Sequence, residues 1–433
     1  MKKINTAPIS GMQELLPEAQ ATFDRLKTAI SETYRRHGFL KIETPTIDRT
    51  EILFAKAGGD TEKQVYRVFK TAETADDSDQ ALRFDHTVPL ARYVVEHEND
   101  LAFPFKVTQI GRNFRGERAQ KGRFREFYQA DVDIISRSEL PLEYDAEVIL
   151  TLMDTFSNFE LNTPVVARIS NRKILNGLIR GLGLETKSRD IFSIIDHSEK
   201  VPEEKTLSAF SEIGLSEDET NKIVSFMNIR GKKDEVIPQL NSLDISDELF
   251  KEGIYELGKI LTLIEANVGA SEITVKTEVK AVGDMKIVRG LDYYTGTVFE
   301  FNLPEHPGLG SVSGGGRYDN LAGYFTEQKL PGVGGSIGLT RLFYVLTENN
   351  LLKSQVIEKP VDYVIVPISE NEIEFSMKVA TDLRRDGNSA TIIFSNKRLG
   401  DKLNYAAKIS QKAIIIGENE AKSGQYEIKE LFA

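Results

Sequence analysis

The 433-residue chain contains no cysteine. That excludes a disulfide framework, a thiolate metal site and a catalytic thiol. Five histidines are too few to favour a zinc site. No apolar run approaches the roughly 18 residues that would suggest a transmembrane helix. Met1-Lys2-Lys3-Ile4-Asn5 leads into no apolar signal core, so no secretory peptide is read, and a cytoplasmic location without membrane attachment is the expectation. No Ser-His-Asp or Cys-His arrangement is evident, which disfavours covalent acyl-enzyme chemistry. An overall basic excess is missing too: the net charge is −11, against wholesale coating of nucleic acid.

Against that background one segment stands out. Between Arg112 and Arg125 lie Arg112, Arg115, Arg118, Lys121, Arg123 and Arg125, with Glu117 as the single acid. This reads as a focused anion site, although a solvated charged loop would give the same count.

Length alone suggests about two to four domains, and the pattern along the chain supplies boundaries. Phe23, Leu26, Ile30 and Tyr34 recur at spacings of three and four, which predicts an amphipathic helix over 22–36. A strand over 39–43 follows, ending near Pro45. Short strands are expected at 65–71 and 81–84, then a helix over 88–97. Strands at 105–114 and 123–135 flank the basic loop and form a long hairpin. Phe127, Gln129, Asp131 and Asp133 share one face of its second strand. A strand with that face in water would look alike. A helix is expected over 142–156, then helical patterns over 171–270, read as an insertion between two parts of a mixed sheet. Sheet pattern resumes at Ile273. After a polar linker over 352–360, a βαβαβ alternation (361–367, 370–386, 390–393, 400–409, 412–416) marks a separate domain of about 70 residues. Its first strand runs into Val366-Pro367-Ile368-Ser369, with no glycine-rich phosphate loop, so it is not a dinucleotide site.

The chemistry concentrates elsewhere. Val288-Arg289-Gly290-Leu291-Asp292-Tyr293-Tyr294-Thr295-Gly296 sets one arginine and two tyrosines between glycines, then alternates like a strand. Tyr293 and Tyr294 point to opposite faces of an extended segment. A buried aromatic strand beside a surface arginine would also fit. Arg115, Arg289 and Arg341 each sit in a sheet or glycine context, and several guanidiniums around one pocket suit a polyphosphate. Arg341 lies just inside a helix entered from glycines 332, 334, 335 and 338, a position suited to an anion. Asp85, Gln129 and Asp133 suit an ammonium or an imidazole, and Phe127 suits a stacked base.

These motifs resemble those of the histidyl-tRNA synthetase family. Arg289 to Gly296, with Gly315-Gly316-Arg317-Tyr318-Asp319, is similar to the family's histidine motifs. Phe114 to Arg118 through Arg125 to Gln129 resembles motif 2 of class II aminoacyl-tRNA synthetases, Gly332 to Leu342 resembles motif 3, and the segment ending at Pro45 resembles motif 1. The resemblance implies an α/β (α+β) fold. A class II antiparallel-sheet catalytic core would span 1–170 and 271–350, interrupted by the 171–270 insertion, with an anticodon-binding domain at 361–433. It implies a ligase homodimer whose substrates are L-histidine, ATP with Mg²⁺, and tRNA(His). By position, it assigns catalysis to Arg115, Arg289 and Arg341. Histidine would be bound by Asp85, Thr87, Arg115, Gln129, Asp133, Arg289, Tyr293, Tyr294 and Tyr318. ATP would be bound by Arg115, Glu117, Phe127 and Arg341, and Arg118 and Gln120 would approach the tRNA acceptor end. The sequence departs from the family pattern in four ways: aspartates at 85 and 133 where glutamate is common, Ser10 in place of an arginine, Ala119 in place of a proline, and a short C-terminal segment. The alternative is the synthetase-like regulatory subunit of ATP phosphoribosyltransferase. It is disfavoured because all three arginines stand and the C-terminal domain pattern is present.

Overall fold

The computed structural model describes residues 4–55, 63–72, 74, 78–268, 276–288, 294–320, 322–353 and 359–431. Arg289 and Tyr293 lie outside the described residues. The chain divides into two compact units, Met1–Gln13 with Leu26–Lys353, and Glu14–Arg25 with Ser354–Ala433.

The chain opens with helix α1 (Pro17–Arg36), whose stripe of Phe23, Leu26, Ile30 and Tyr34 is buried as the spacing demanded. There follow β1 (Leu40–Lys41), β2 (Ile47–Arg49), α2 (Thr50–Phe54), β3 (Arg67–Val68), β4 (Gln80–Leu82) and α3 (Thr87–Glu96). Strands β2, β4 and β3 make a small antiparallel sheet. The strand expected over 65–71 is thus only two residues long.

Strand β5 (Phe105–Phe114) keeps the expected bounds, and β6 (Glu126–Ile135) starts three residues late. The delay has a local cause: Gln120 and Arg123 bridge each other, so the loop closes on itself before the ladder begins. The hairpin is in continuous register from Phe105↔Ile135 to Phe114↔Glu126.

Helix α4 (Glu143–Ser157) leads to β7 (Val165–Asn171), every residue of which is buried. Helices α5 (Arg172–Gly181), α6 (Ser188–His197), α7 (Glu203–Glu212), α8 (Glu217–Met227), α9 (Lys233–Ser242) and α10 (Glu248–Asn267) follow, with the short β8 (Arg230–Gly231) among them. Side chains start the two helices that flank this region: Asn171 accepts the Lys173 amide at α5, and Asp247 accepts the Phe250 amide at α10. Arg168 of β7 ties the region to the sheet, reaching Asp284 at 2.8 Å and Glu199 at the end of α6.

The chain returns through β9 (Val279–Asp284), β10 (Tyr294–Asn302), β11 (Ser311–Tyr318), β12 (Gly332–Ile337) and α11 (Leu339–Glu348). The main sheet runs β1-β5-β6-β12-β11-β10-β7-β9-β8. Only β1–β5 and β7–β9 pair in parallel. Phe156 of α4 stacks on Phe301 of β10, centroids 5.1 Å apart, and packs that helix against the sheet.

In the second unit, β13 (Tyr363–Pro367), α12 (Ile373–Arg385), β14 (Ala390–Ile392), α13 (Leu399–Ile409) and β15 (Lys412–Ile416) form the expected alternation. A short α14 (Glu418–Ser423) and an antiparallel β16 (Ile428–Glu430) complete it. The sheet order is β14-β13-β15-β16. Among the described residues no helix is long and apolar enough to cross a membrane.

Candidate active site

Strand β6 organises the site. Its alternation puts Gln129, Asp131 and Asp133 on one face. Asp131 and Asp133 are 6% and 8% exposed, so that face is covered and is not the solvent side. Beside it in the same sheet runs β12, antiparallel to β6, with Ser336 opposite Asp131 and Gly334 opposite Asp133.

The glycines of β11 and β12 do more than lead into a helix. A methyl group at Gly334 would overlap the Asp133 carboxylate, and one at Gly332 would overlap the Tyr318 ring. Their absence lets both side chains lie flat on the sheet. There the Tyr318 hydroxyl donates to Asp133 Oδ1 at 2.8 Å. Tyr294, paired with Tyr318 across β10 and β11, packs against the same ring together with Ala91. Ala91 lies one turn into α3, so the helix beginning at Thr87 borders this pocket. Asp85 Oδ1 accepts the Val88 amide at 3.1 Å and anchors the start of that helix.

Toward the other end of β6 opens a cleft of about 330 Å³, large enough for a small ligand. Arg115, Glu117, Phe127, Gln129, Ser336 and Arg341 are among its lining residues. Arg115 stacks over Phe127, its guanidinium carbon 5.1 Å from the ring centroid, and donates to the Phe84 carbonyl at 3.1 Å. Arg341 donates to the Leu309 carbonyl at 2.7 Å. Glu117 pairs with Arg123 at 3.4 Å. The N-terminal segment lies along this loop, since Arg125 donates to the carbonyls of Gly11 and Ser10.

The sequence-predicted residues therefore gather in two adjoining patches. Arg115, Glu117, Phe127, Gln129 and Arg341 share the cleft. Asp133, Tyr294 and Tyr318 share the pocket about 13 Å along β6, a distance set by the strand rise, with Asp85 and Thr87 at its helical border. Arg118 and Gln120 are exposed on the loop, outside the cleft lining. Arg317, beside Tyr318 in sequence, turns away and pairs with the fully buried Asp145 at 2.7 Å. Burial pushes the Asp145 carboxyl up, and Arg317 offsets part of that shift. Sequence reasoning singled out neither Ser336 nor His86, and it noted Asp131 only as a face-mate. Their signal lies in the β6–β12 register, which single-strand patterns do not carry.

Comparison with known proteins places this architecture. The crystal structure of histidyl-tRNA synthetase from Nostoc sp. PCC 7120 superposes with a TM-score of 0.87 at 36% identity, covering 99% of this chain and 95% of that one. The sheet, its charged hairpin loop and its glycine-rich strand-to-helix junction are those of a class II aminoacyl-tRNA synthetase core. The sequence model of histidyl-tRNA synthetase matches residues 11–342, and that of the anticodon-binding domain matches 362–432. The chain is 43% identical to the histidine–tRNA ligase of Clostridium tetani, over 100% of this chain and 95% of that protein. It is 40% identical to the ligase of Clostridium acetobutylicum, over 99% and 96%. The chain belongs to the histidyl-tRNA synthetase family. A structure from Bacillus halodurans C, described as an ATP phosphoribosyltransferase regulatory subunit/histidyl-tRNA synthetase, shares the fold at 21% identity and a TM-score of 0.75.

Proposed function

We propose that this chain is an enzyme that ligates L-histidine to tRNA(His) at the expense of ATP. The observation that carries the reading is the pairing of two patches on one sheet. A buried carboxylate held by a tyrosine, Asp133 with Tyr318, adjoins a cleft lined by Arg115 and Arg341. The first suits an imidazole; the second suits a polyphosphate.

Asp133 and Tyr294 bracket the imidazole, one at each ring nitrogen, with Tyr318 and Tyr293 completing the pocket. Asp85, Thr87 and Gln129 take the α-amine. A site that hydrogen-bonds both ring nitrogens rejects apolar rivals strongly, because they leave buried polar groups unpaired. Adenine stacks on Phe127 near Glu117, with Arg341 over it and at the γ-phosphate. Arg115 and Arg289 hold the α-phosphate against the histidine carboxylate; the place of Arg289 follows from its motif. The carboxylate oxygen attacks the α-phosphorus in line, the bond to the bridging oxygen breaks, and pyrophosphate leaves. Positioning and charge stabilisation carry this step, without a general base from the protein. The terminal ribose hydroxyl of the tRNA then attacks the adenylate carbonyl, near Arg118 and Gln120, and AMP departs.

Mg²⁺ arrives with ATP as part of the substrate. Among the described residues no group of three or more His, Cys, Asp or Glu is placed to hold a metal ion. The four-part division at residues 170, 270, 350 and 361 follows the same reading, with 361–433 as the anticodon-binding part. So do a cytoplasmic location, the absence of membrane attachment and a homodimer built on the motif 1 segment. The regulatory-subunit alternative is less supported, since the relatives that match the whole chain at 43% and 40% identity are named histidine–tRNA ligases.

The test is ATP–pyrophosphate exchange by the purified protein with Mg²⁺, followed by charging of tRNA(His). Exchange that depends on histidine supports the assignment; no exchange with histidine overturns it.

A further inference from the structure

Between the cleft and the imidazole pocket lies a run of polar side chains of which the reaction above uses only Gln129. We propose that Asp131, held by His86 and acting through Ser336, is a positioning residue that fixes the amide orientation of Gln129 and so presents the Gln129 carbonyl to the α-ammonium of the amino acid. The inference rests on the assignment of Gln129 to that amine.

The run is continuous. His86 Nδ1 lies 3.0 Å from Asp131 Oδ2, with the two side chains 1% and 8% exposed. The Ser336 hydroxyl donates to Asp131 Oδ1. Gln129 Nε2 donates to Ser336 Oγ at 2.8 Å, and Gln129 Oε1 accepts from Asn113 Nδ2 at 2.9 Å. Register fixes the order, because Asp131 and Ser336 are direct partners across β6 and β12.

The direction of these bonds follows from the chemistry of the groups. A carboxylate accepts and does not donate. Ser336 must therefore give its only hydroxyl proton to Asp131, and its oxygen can then only accept from Gln129. The NH₂ end of Gln129 is held toward Ser336, and the carbonyl is turned the opposite way. Without the carboxylate, Ser336 could donate to the Gln129 carbonyl instead, and the amide could flip. Asp131 needs a partner of its own, since a buried carboxylate left unpaired is costly. His86 supplies it. His86 Nε2 is buried with no hydrogen-bond partner, which agrees with the ring proton residing on Nδ1. A Gln129 amide oriented in this way keeps one carbonyl lone pair and one N–H for a ligand, and both Gln129 and Ser336 line the cleft.

Two ligands separate this role from a merely structural one. Histidinol keeps the amine and the ring but lacks the carboxylate. Imidazole-4-propionate keeps the ring and the carboxylate but lacks the amine. Binding of each to the full-length protein is measured by calorimetry for wild type, Asp131→Asn and Ser336→Ala. In Asp131→Asn the new amide can donate to Ser336, which frees the hydroxyl proton and permits the flipped Gln129. The expected result is about tenfold weaker histidinol binding in both variants with imidazole-4-propionate unchanged. His86→Leu is expected to repeat that selective loss, and His86→Asn, which keeps a donor, to recover part of it. Equal weakening of both ligands, or no change in either, overturns the inference while leaving the histidine site standing. Failure of the wild type to bind either ligand overturns the site assignment itself. If Asp131→Asn does not melt cooperatively, Ser336→Ala carries the comparison.

Discussion

The Tyr318 hydroxyl donates to Asp133 across 2.8 Å, joining β11 to β6 over the bare backbone of β12. Two strands that are not neighbours thus share a hydrogen bond, and the glycines between them make it possible. Removing the hydroxyl should loosen the carboxylate proposed to face the imidazole. Tyr318→Phe is expected to raise KM for histidine about tenfold, the usual scale for a lost hydrogen bond to a charged group. KM for ATP in the same exchange assay should barely move. An equal rise in both would place Tyr318 outside the histidine pocket.

Arg341 donates to the Leu309 carbonyl, which fixes its guanidinium at the wall of the cleft. Arg341→Ala is expected to lower kcat of exchange about a hundredfold. Arg341→Lys should not restore it, because a lysine lacks the planar fork. Full rescue by lysine, measured in the same steady-state assay, would reduce the role to a point charge.

In the second unit Phe394 and Tyr405 are 63% and 54% exposed, so both rings present much of their surface to solvent. Exposed rings of this kind are stacking platforms for unpaired bases, worth about 1–3 kcal/mol each. Phe394→Ala and Tyr405→Ala are each expected to raise KM for tRNA about tenfold and to leave amino-acid activation unchanged. Unchanged charging kinetics in both variants would remove these two residues from the anticodon surface.

The helical region is fastened to the sheet by charge. Burial pushes the Glu199 carboxyl up, but the hydrogen bond and charge of Arg168 outweigh it and hold Glu199 below its ordinary value. A carboxyl depressed in the folded state adds stability above its unfolded pKa, about 4.3, and loses that stability as pH falls through the folded value. Glu199→Gln is therefore expected to melt below wild type near neutral pH. The gap should close as the pH is lowered beneath the ordinary carboxylate range. A gap independent of pH, followed by thermal melts, would mean that Glu199 acts through shape and not charge.

Much of this was legible in the sequence, for identifiable reasons. Strands β5 and β15 were read with their observed bounds because apolar runs and turns mark both ends. The α1 stripe was legible because four apolar residues keep helical spacing. Asp133 could be singled out as a candidate because its motif is local. The partnership of Asp131 with Ser336 was not legible, because it joins residues 205 positions apart through a register that neither segment encodes alone. The role of Gly332 and Gly334 was missed for the same reason: what they leave room for lies on other strands. Arg289 and Tyr293, the start of the most telling motif, lie outside the described residues.

A pocket built on Asp133 and Tyr294 is proposed to contact both ring nitrogens of histidine. Exchange of pyrophosphate into ATP, measured with L-histidine and with its two ring-N-methylated forms, tests it most directly. The expected result is brisk exchange with histidine and none above background with either methylated form. Exchange comparable to that of histidine with either methyl isomer would contradict it.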